Sequence, residues 1–172
     1  MKRLLLFLAV VGLATFSGCE GDQGLQGKDG QPGPLSEVFE LKNVNFTLSQ
    51  NNGYTIFRNL NPVIFASDNI LIFRMASLIN PTTPVWQLIP RTLFVPEGEL
   101  DYDYDFSKQD FTIYAGGTYN LSLTPQYINN QTFRIVILPG YFSRQSTPVN
   151  FQDYNAVIKY FNINDQNVTQ IK

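Results

Sequence analysis

The residues with the clearest capacity for chemistry are three aspartates in the run Asp101-Tyr102-Asp103-Tyr104-Asp105, and a lone cysteine, Cys19. Side chains of an extended strand alternate between faces, so Asp101, Asp103 and Asp105 fall on one side and Tyr102, Tyr104 and Phe106 on the other. Three carboxylates on one face could hold calcium in an irregular site. They do not make an EF-hand loop, which needs glycine at its sixth position and glutamate at its twelfth; counted from Asp101, those places hold Phe106 and Thr112. The favoured reading is a solvated strand face with its aromatics turned inward, and a calcium site at Asp101, Asp103 and Asp105 is the alternative.

The chain contains no histidine. That removes the commonest general base and metal ligand, and with it serine-histidine and cysteine-histidine catalysis. A single cysteine excludes an intramolecular disulfide and a cysteine metal cluster. No cofactor is expected, and no catalytic residue is assigned. The enzyme class left open is one that uses carboxylates alone, most simply a glycan-active hydrolase with an acid and a base among its aspartates and glutamates. Removal of Lys2 and Arg3 with a leader would leave 10 basic residues against 14 acidic ones, the basic ones scattered singly. A nucleic-acid surface would cluster them, so nucleic acid is not expected as a partner.

Cys19 sits at the end of a pattern of charge, apolar run and small residues: Lys2 and Arg3, then Leu4 to Leu13, then Ala14-Thr15-Phe16-Ser17-Gly18. This is the order of a signal peptide. A permanent span needs about 20 apolar residues, and the run here is shorter and followed by polar, glycine-rich sequence. The triplet Ser17-Gly18-Cys19 resembles the lipobox of the bacterial lipoprotein family, with Phe16 where that family most often has leucine. The resemblance implies removal of residues 1–18, a diacylglyceryl group on the sulfur of Cys19, acylation of its new amino group, and a membrane as partner through that anchor. It implies the bacterial cell envelope, with the outer membrane favoured and surface exposure open.

Glycine then recurs at every third position, Gly21, Gly24, Gly27, Gly30 and Gly33, and Pro32 and Pro34 close the run. Collagen requires this period because only glycine fits at the crowded axis of three chains. The stretch resembles the short collagen-like tracts of bacterial surface lipoproteins. With few triplets and sparse proline, a spacer is favoured over a homotrimer; extended, the segment from Glu20 to Pro34 reaches about 45 Å. Residues 19–35 are thus read as lipidated cysteine plus spacer, and residues 36–172 as one globular domain, long enough for its own core.

The elements that must position any site are strands. Phe39 and Leu41, then Val44, Phe46 and Leu48, alternate in two phases, predicting a bulge near Asn43. Asn51-Asn52-Gly53 predicts a turn, with Tyr54 to Leu60 as the partner strand. Ile70 to Phe73 and Phe133 to Leu138 are short, almost unbroken apolar runs that predict central strands. Asn80 to Pro84 reads as a loop, Val85 to Ile89 and Thr92 to Val95 as strands broken by Pro90, and Leu100 to Phe106, Phe111 to Tyr114 and Tyr119 to Leu123 as further strands. Gly116-Gly117 reads as a hairpin turn. Phe151, Tyr154, Val157 or Ile158, and Phe161 carry the one helical period, with Asn150 as the expected N-cap. The fold expected is mainly β, an antiparallel sandwich-like domain with a short C-terminal helix and a polar, fraying tail after Ile163.

The phrases Phe133-Arg134-Ile135-Val136-Ile137-Leu138-Pro139 and Asp153-Tyr154-Asn155 resemble domains that follow collagen-like tracts in Bacteroidota lipoproteins. That resemblance bears on location and architecture and brings no catalytic residue. The 14 phenylalanines, 9 tyrosines and single Trp86 are read as core packing first, and as a glycan-stacking platform second. Arg134 is expected to point outward or to pair with a carboxylate. The function read from the chain is a membrane-anchored envelope lipoprotein that displays a non-catalytic binding or structural β domain on a stalk, its partner a glycan or a protein. The alternatives are the carboxylate-only enzyme and a collagen-like trimeric surface protein.

Overall fold

A computed structural model describes residues 36–50, 53–140 and 148–171. The leader, Cys19 and the glycine-periodic spacer lie outside the described residues. So do Asn51 and Asn52 of the expected turn. In chain order the strands are β1 (Glu37–Val44), β2 (Thr47–Ser49), β3 (Gly53–Asn59), β4 (Asn69–Asn80), β5 (Thr83–Ile89), β6 (Arg91–Val95), β7 (Gly98–Phe106), β8 (Asp110–Gly117), β9 (Gln131–Leu138) and β10 (Thr169–Gln170), with helix α1 (Tyr154–Tyr160) between the last two. They form two five-stranded sheets, β10-β1-β9-β4-β5 and β2-β3-β8-β7-β6. Every pairing is antiparallel except that of β10 with β1. The mainly β, sandwich-like class expected from the sequence is the class observed.

The apolar runs of β4 and β9 are explained by what covers them. Their inward residues Ile70, Ile72, Phe133, Ile135 and Ile137 join Ile56, Leu100, Tyr102, Phe111 and Ile113 of the second sheet in the core between the sheets. Their outward residues Phe73, Val136 and Leu138 join Tyr154, Val157 and Phe161 in a second core beneath α1. Strands buried on both faces lose the polar half of the alternation. The second sheet has no such cover from the helix, and its outward residues are mostly polar, with Phe57 and Phe94 exposed among them.

Asn43, with φ of 54°, marks the expected bulge: the β1–β9 register shifts between Leu41 and Val44. Beyond it the chain leaves the first sheet, and Thr47 pairs with Thr55 in the second. At Pro90 the chain crosses again, from edge strand β5 to edge strand β6. The loop expected over Asn80 to Pro84 narrows to Pro81 and Thr82, because β4 runs to Asn80 and Pro84 lies in β5, an edge strand that tolerates proline.

Four expectations need correction. The stretch Tyr119 to Leu123 is no strand: Leu121–Leu123 and Pro125–Tyr127 are 3-10 turns, because Asn120 Oδ1 accepts from Ser122 N at 3.0 Å and Leu121 alone plugs the core. Gly116 and Gly117 are not a hairpin turn but the last pairs of β8, opposite Asp101 and Leu100. A Cβ on Gly117 would come within 2.3 Å of the Glu99 carbonyl oxygen, so close backbone approach is what demands glycine there. The cap of α1 is Asp153, whose Oδ1 accepts from Asn155 N and Ala156 N; Asn150 instead holds Gln152 N, one turn earlier. The tail after Ile163 is tied down, because Thr169–Gln170 add to β1 and Ile171 N donates to Glu40 O at 3.0 Å.

Candidate functional site

Asp101, Asp103 and Asp105 stand in a column on the outer face of the second sheet, with Tyr102 and Tyr104 turned inward, as strand alternation requires. Positions two apart on a strand are separated by about 6.7 Å, which spreads the outer two over about 13 Å. Two of the carboxylates are already engaged: Thr92 Oγ1 donates to Asp101 Oδ1 at 2.5 Å, and Tyr114 Oη to Asp105 Oδ2 at 2.8 Å. That second bond holds the Tyr114 proton and raises its pKa. Among the described residues no group of three acidic, histidine or cysteine side chains is placed to hold a metal ion. The column therefore lacks the convergence that calcium coordination needs. Asp101 and Asp103 do share a hollow of about 300 Å³ with Pro90, Arg91 and Thr92.

On the opposite side of the molecule Arg134 projects from β9 into the layer under α1. Its Nε lies 3.3 Å from Glu40 Oε2 and its Nη1 3.0 Å from Asp165 Oδ2. Nη1 also donates to the Tyr154 hydroxyl, which donates in turn to Asp165 at 3.0 Å. The guanidinium carbon stands 4.6 Å from the centre of the Trp86 ring and 5.1 Å from that of Tyr154. Burial raises the Tyr154 pKa, against the pull of Arg134. Of the two outcomes expected for Arg134, pairing with a carboxylate is the one observed, and its side chain is only 14% exposed. Trp86 is partly buried, its ring packed against Tyr154 and the Arg134 guanidinium.

Sequence reasoning missed Arg74. It lies on β4 with the inward-facing Ile70 and Ile72, and it is 6% exposed inside the sandwich. Nε donates to Gln131 Oε1 at 2.9 Å, and the guanidinium stands 4.7 Å from the Tyr102 ring and 5.9 Å from that of Tyr127. Among the described residues it meets no carboxylate. Burial pushes the Tyr102 phenol up to about 12, with Arg74 opposing the shift, and its hydroxyl donates to Tyr127 O at 2.6 Å. The cation thus closes one end of the sandwich through ring faces and amides. The signal was an arginine in phase with inward isoleucines; since both faces of β4 are apolar, phase alone did not say which face is interior.

At the other end of the sandwich a cleft of about 710 Å³ opens between the end of β7, the start of β4, the end of β9, the segment leading into α1 and the end of α1 itself. Leu71, Tyr104, Phe106, Phe151, Tyr160 and Phe161 dominate its walls, and among the described residues no charged one lines it. Tyr104 Oη is spent on the Ile70 carbonyl at 2.8 Å, and burial raises its pKa. Such a cleft has the size and apolar lining of a binding site. Five separate segments build it, which is why no motif announced it. Comparison of the chain with protein-family models, with curated proteins and with solved structures finds no match.

Proposed function

We propose that the protein is an envelope lipoprotein, held by acyl chains on Cys19, that presents a non-catalytic β-sandwich for binding on a collagen-like spacer. The observation that carries this reading is the agreement of the leader's charge, apolar run and Ser17-Gly18-Cys19 triplet with a domain whose strands all find partners within residues 37–170. A domain of that kind can be displayed as a unit. Its outer face on the second sheet, with Phe57 and Phe94 exposed beside the aspartate column, is the surface offered to a glycan or protein. Two or more acyl chains would hold the chain far more firmly than one, at about 0.8 kcal/mol per buried methylene.

Growth of the producing cells with an alkyne-tagged palmitate tests the anchor. The wild-type protein is expected to carry the tag and the Cys19→Ser protein to lose it; equal labelling, or none, overturns the reading.

A carboxylate-only glycan-active enzyme is the second reading, favoured by the hollow that Asp101 and Asp103 share. Strand positions two apart are about 6.7 Å from one another along the backbone, a spacing compatible with a pair of hydrolytic carboxylates, but a hollow of about 300 Å³ on an open strand face gives a general acid little desolvation. Release of reducing ends from a polysaccharide panel, abolished by Asp103→Asn, would move the assignment to this reading.

A further inference from the structure

The end of the sandwich that bears the aromatic cleft is also the end at which the chain enters the domain. Glu37 pairs with Ile137, next to the cleft-lining Leu138 and Pro139. Ser36, Glu37 and Val38 line a second hollow that shares Tyr160 and Phe161 with the cleft. Around this end stand four exposed apolar side chains from three segments: Val63 (61%), Phe65 (62%), Phe106 (39%) and Phe151 (44%). Val63 and Phe65 lie on the connection from β3 to β4. That connection is fastened to the β7–β8 turn by Leu60 N to Gln109 O at 2.6 Å and Ile64 N to Lys108 O at 3.0 Å. It also abuts the cleft, since a Cβ on Gly140 would meet the Ser67 carbonyl oxygen.

We infer that this end docks on the interfacial region of a lipid bilayer, the four apolar side chains entering the headgroup boundary. The inference rests on the anchorage at Cys19. At the dimensions of a glycine-rich coil, a chain of the length from Glu20 to Pro34 would have a root-mean-square reach of roughly 20 Å, and tethering on that scale would make a weak surface affinity sufficient. Among the described residues the lining is uncharged and mostly aromatic or aliphatic, which suits hydrocarbon better than a glycan. Phenylalanine flanked by tyrosine is the composition that suits a headgroup boundary. The domain's acidic balance removes general attraction to anionic lipid, so the contact is apolar and insensitive to salt.

The test is flotation of a chain beginning at Gly33, which retains every strand pairing, with phosphatidylcholine vesicles. The protein is expected to float with the vesicles at low and high salt alike. Phe65→Ser with Phe106→Ser is expected to reduce the bound fraction about tenfold, while Leu78→Ser with Ile79→Ser, exposed at the far end of β4, leaves it unchanged. Thermal melts of both double variants establish that they fold. Absence of flotation, equal loss in both double variants, or binding confined to anionic vesicles and abolished by salt overturns the inference. A doubled mass in light scattering that Phe65→Ser with Phe106→Ser restores to monomer also overturns it, in favour of a second copy on this end. Because this chain lacks Cys19, its failure leaves palmitate labelling intact, and failure of the labelling leaves vesicle binding readable.

Discussion

The two sheets have the same number of strands and opposite fates on their outer faces. On the first, the outward positions of β4 and β9 are Leu71, Phe73, Arg134, Val136 and Leu138, and α1 lies over them. On the second, the outward positions of β7 and β8 are Asp101, Asp103, Asp105, Thr112 and Tyr114, and the carboxylates stand in solvent or against hydroxyls. Inner faces are interchangeable in character, both lined by Ile, Leu and aromatic rings. The layer count of the domain is therefore encoded in the outward half of each alternation, and one charged residue, Arg134, is carried into the covered layer by partners on three separate segments.

The sharpest way to break the contrast is to empty the covered layer. Phe73 is fully buried there, its ring centre 5.2 Å from that of Tyr154 in an edge-on contact. Phe73→Ala leaves a cavity between sheet and helix, and a loss of about 3–5 kcal/mol is expected in urea unfolding. The residues of α1 should lose amide-exchange protection first, since a seven-residue helix has little stability apart from its packing. A loss below about 1 kcal/mol would mean that the helix is an appendage and that both sheets stand alone.

The next largest effect falls on Arg134. Arg134→Ala removes the cation between Glu40 and Asp165 and leaves two partly buried carboxylates and the Tyr154 hydroxyl facing one another. About 2 kcal/mol of destabilisation is expected, less than for a fully buried pair because both partners keep some solvent. Arg134→Lys is expected to recover no more than half of it. A compact ammonium keeps the charge but loses the planar group that stacks on Trp86 and Tyr154. Full rescue by lysine would show that charge alone matters at this position.

Much of the frame was legible because it rests on local signals. The short apolar runs gave β4 and β9, the broken phase gave the bulge at Asn43, and strict alternation gave the face of the aspartates. What escaped depends on distant partners. Tyr119 to Leu123 alternates like a strand, yet the Asn120 cap and the core pocket for Leu121 bend it into turns. Gly116-Gly117 has turn chemistry, but its glycine requirement comes from the backbone of β7. Arg74 and the cleft are assembled across segments far apart in sequence, so neither could be seen along the chain.

The smallest effect, and the one that sharpens the contrast most, is expected on the bare face. Asp103 is exposed, directly opposite Tyr114 on β8, and its Oδ1 accepts from the backbone N of Tyr104 at 2.8 Å. A solvated carboxylate on a strand face carries little of the fold, so Asp103→Ser should change stability by less than about 0.5 kcal/mol. Separation of three like charges along one strand costs little in water, and their removal gains equally little. If Asp103→Ser instead stabilises the domain by more than about 1 kcal/mol, the column is held under repulsion that only a bound partner would relieve. That outcome would turn the bare face from a solvated surface into a site kept acidic for a ligand, and calorimetric titration of calcium into the wild-type and substituted proteins would then identify whether a cation is that ligand.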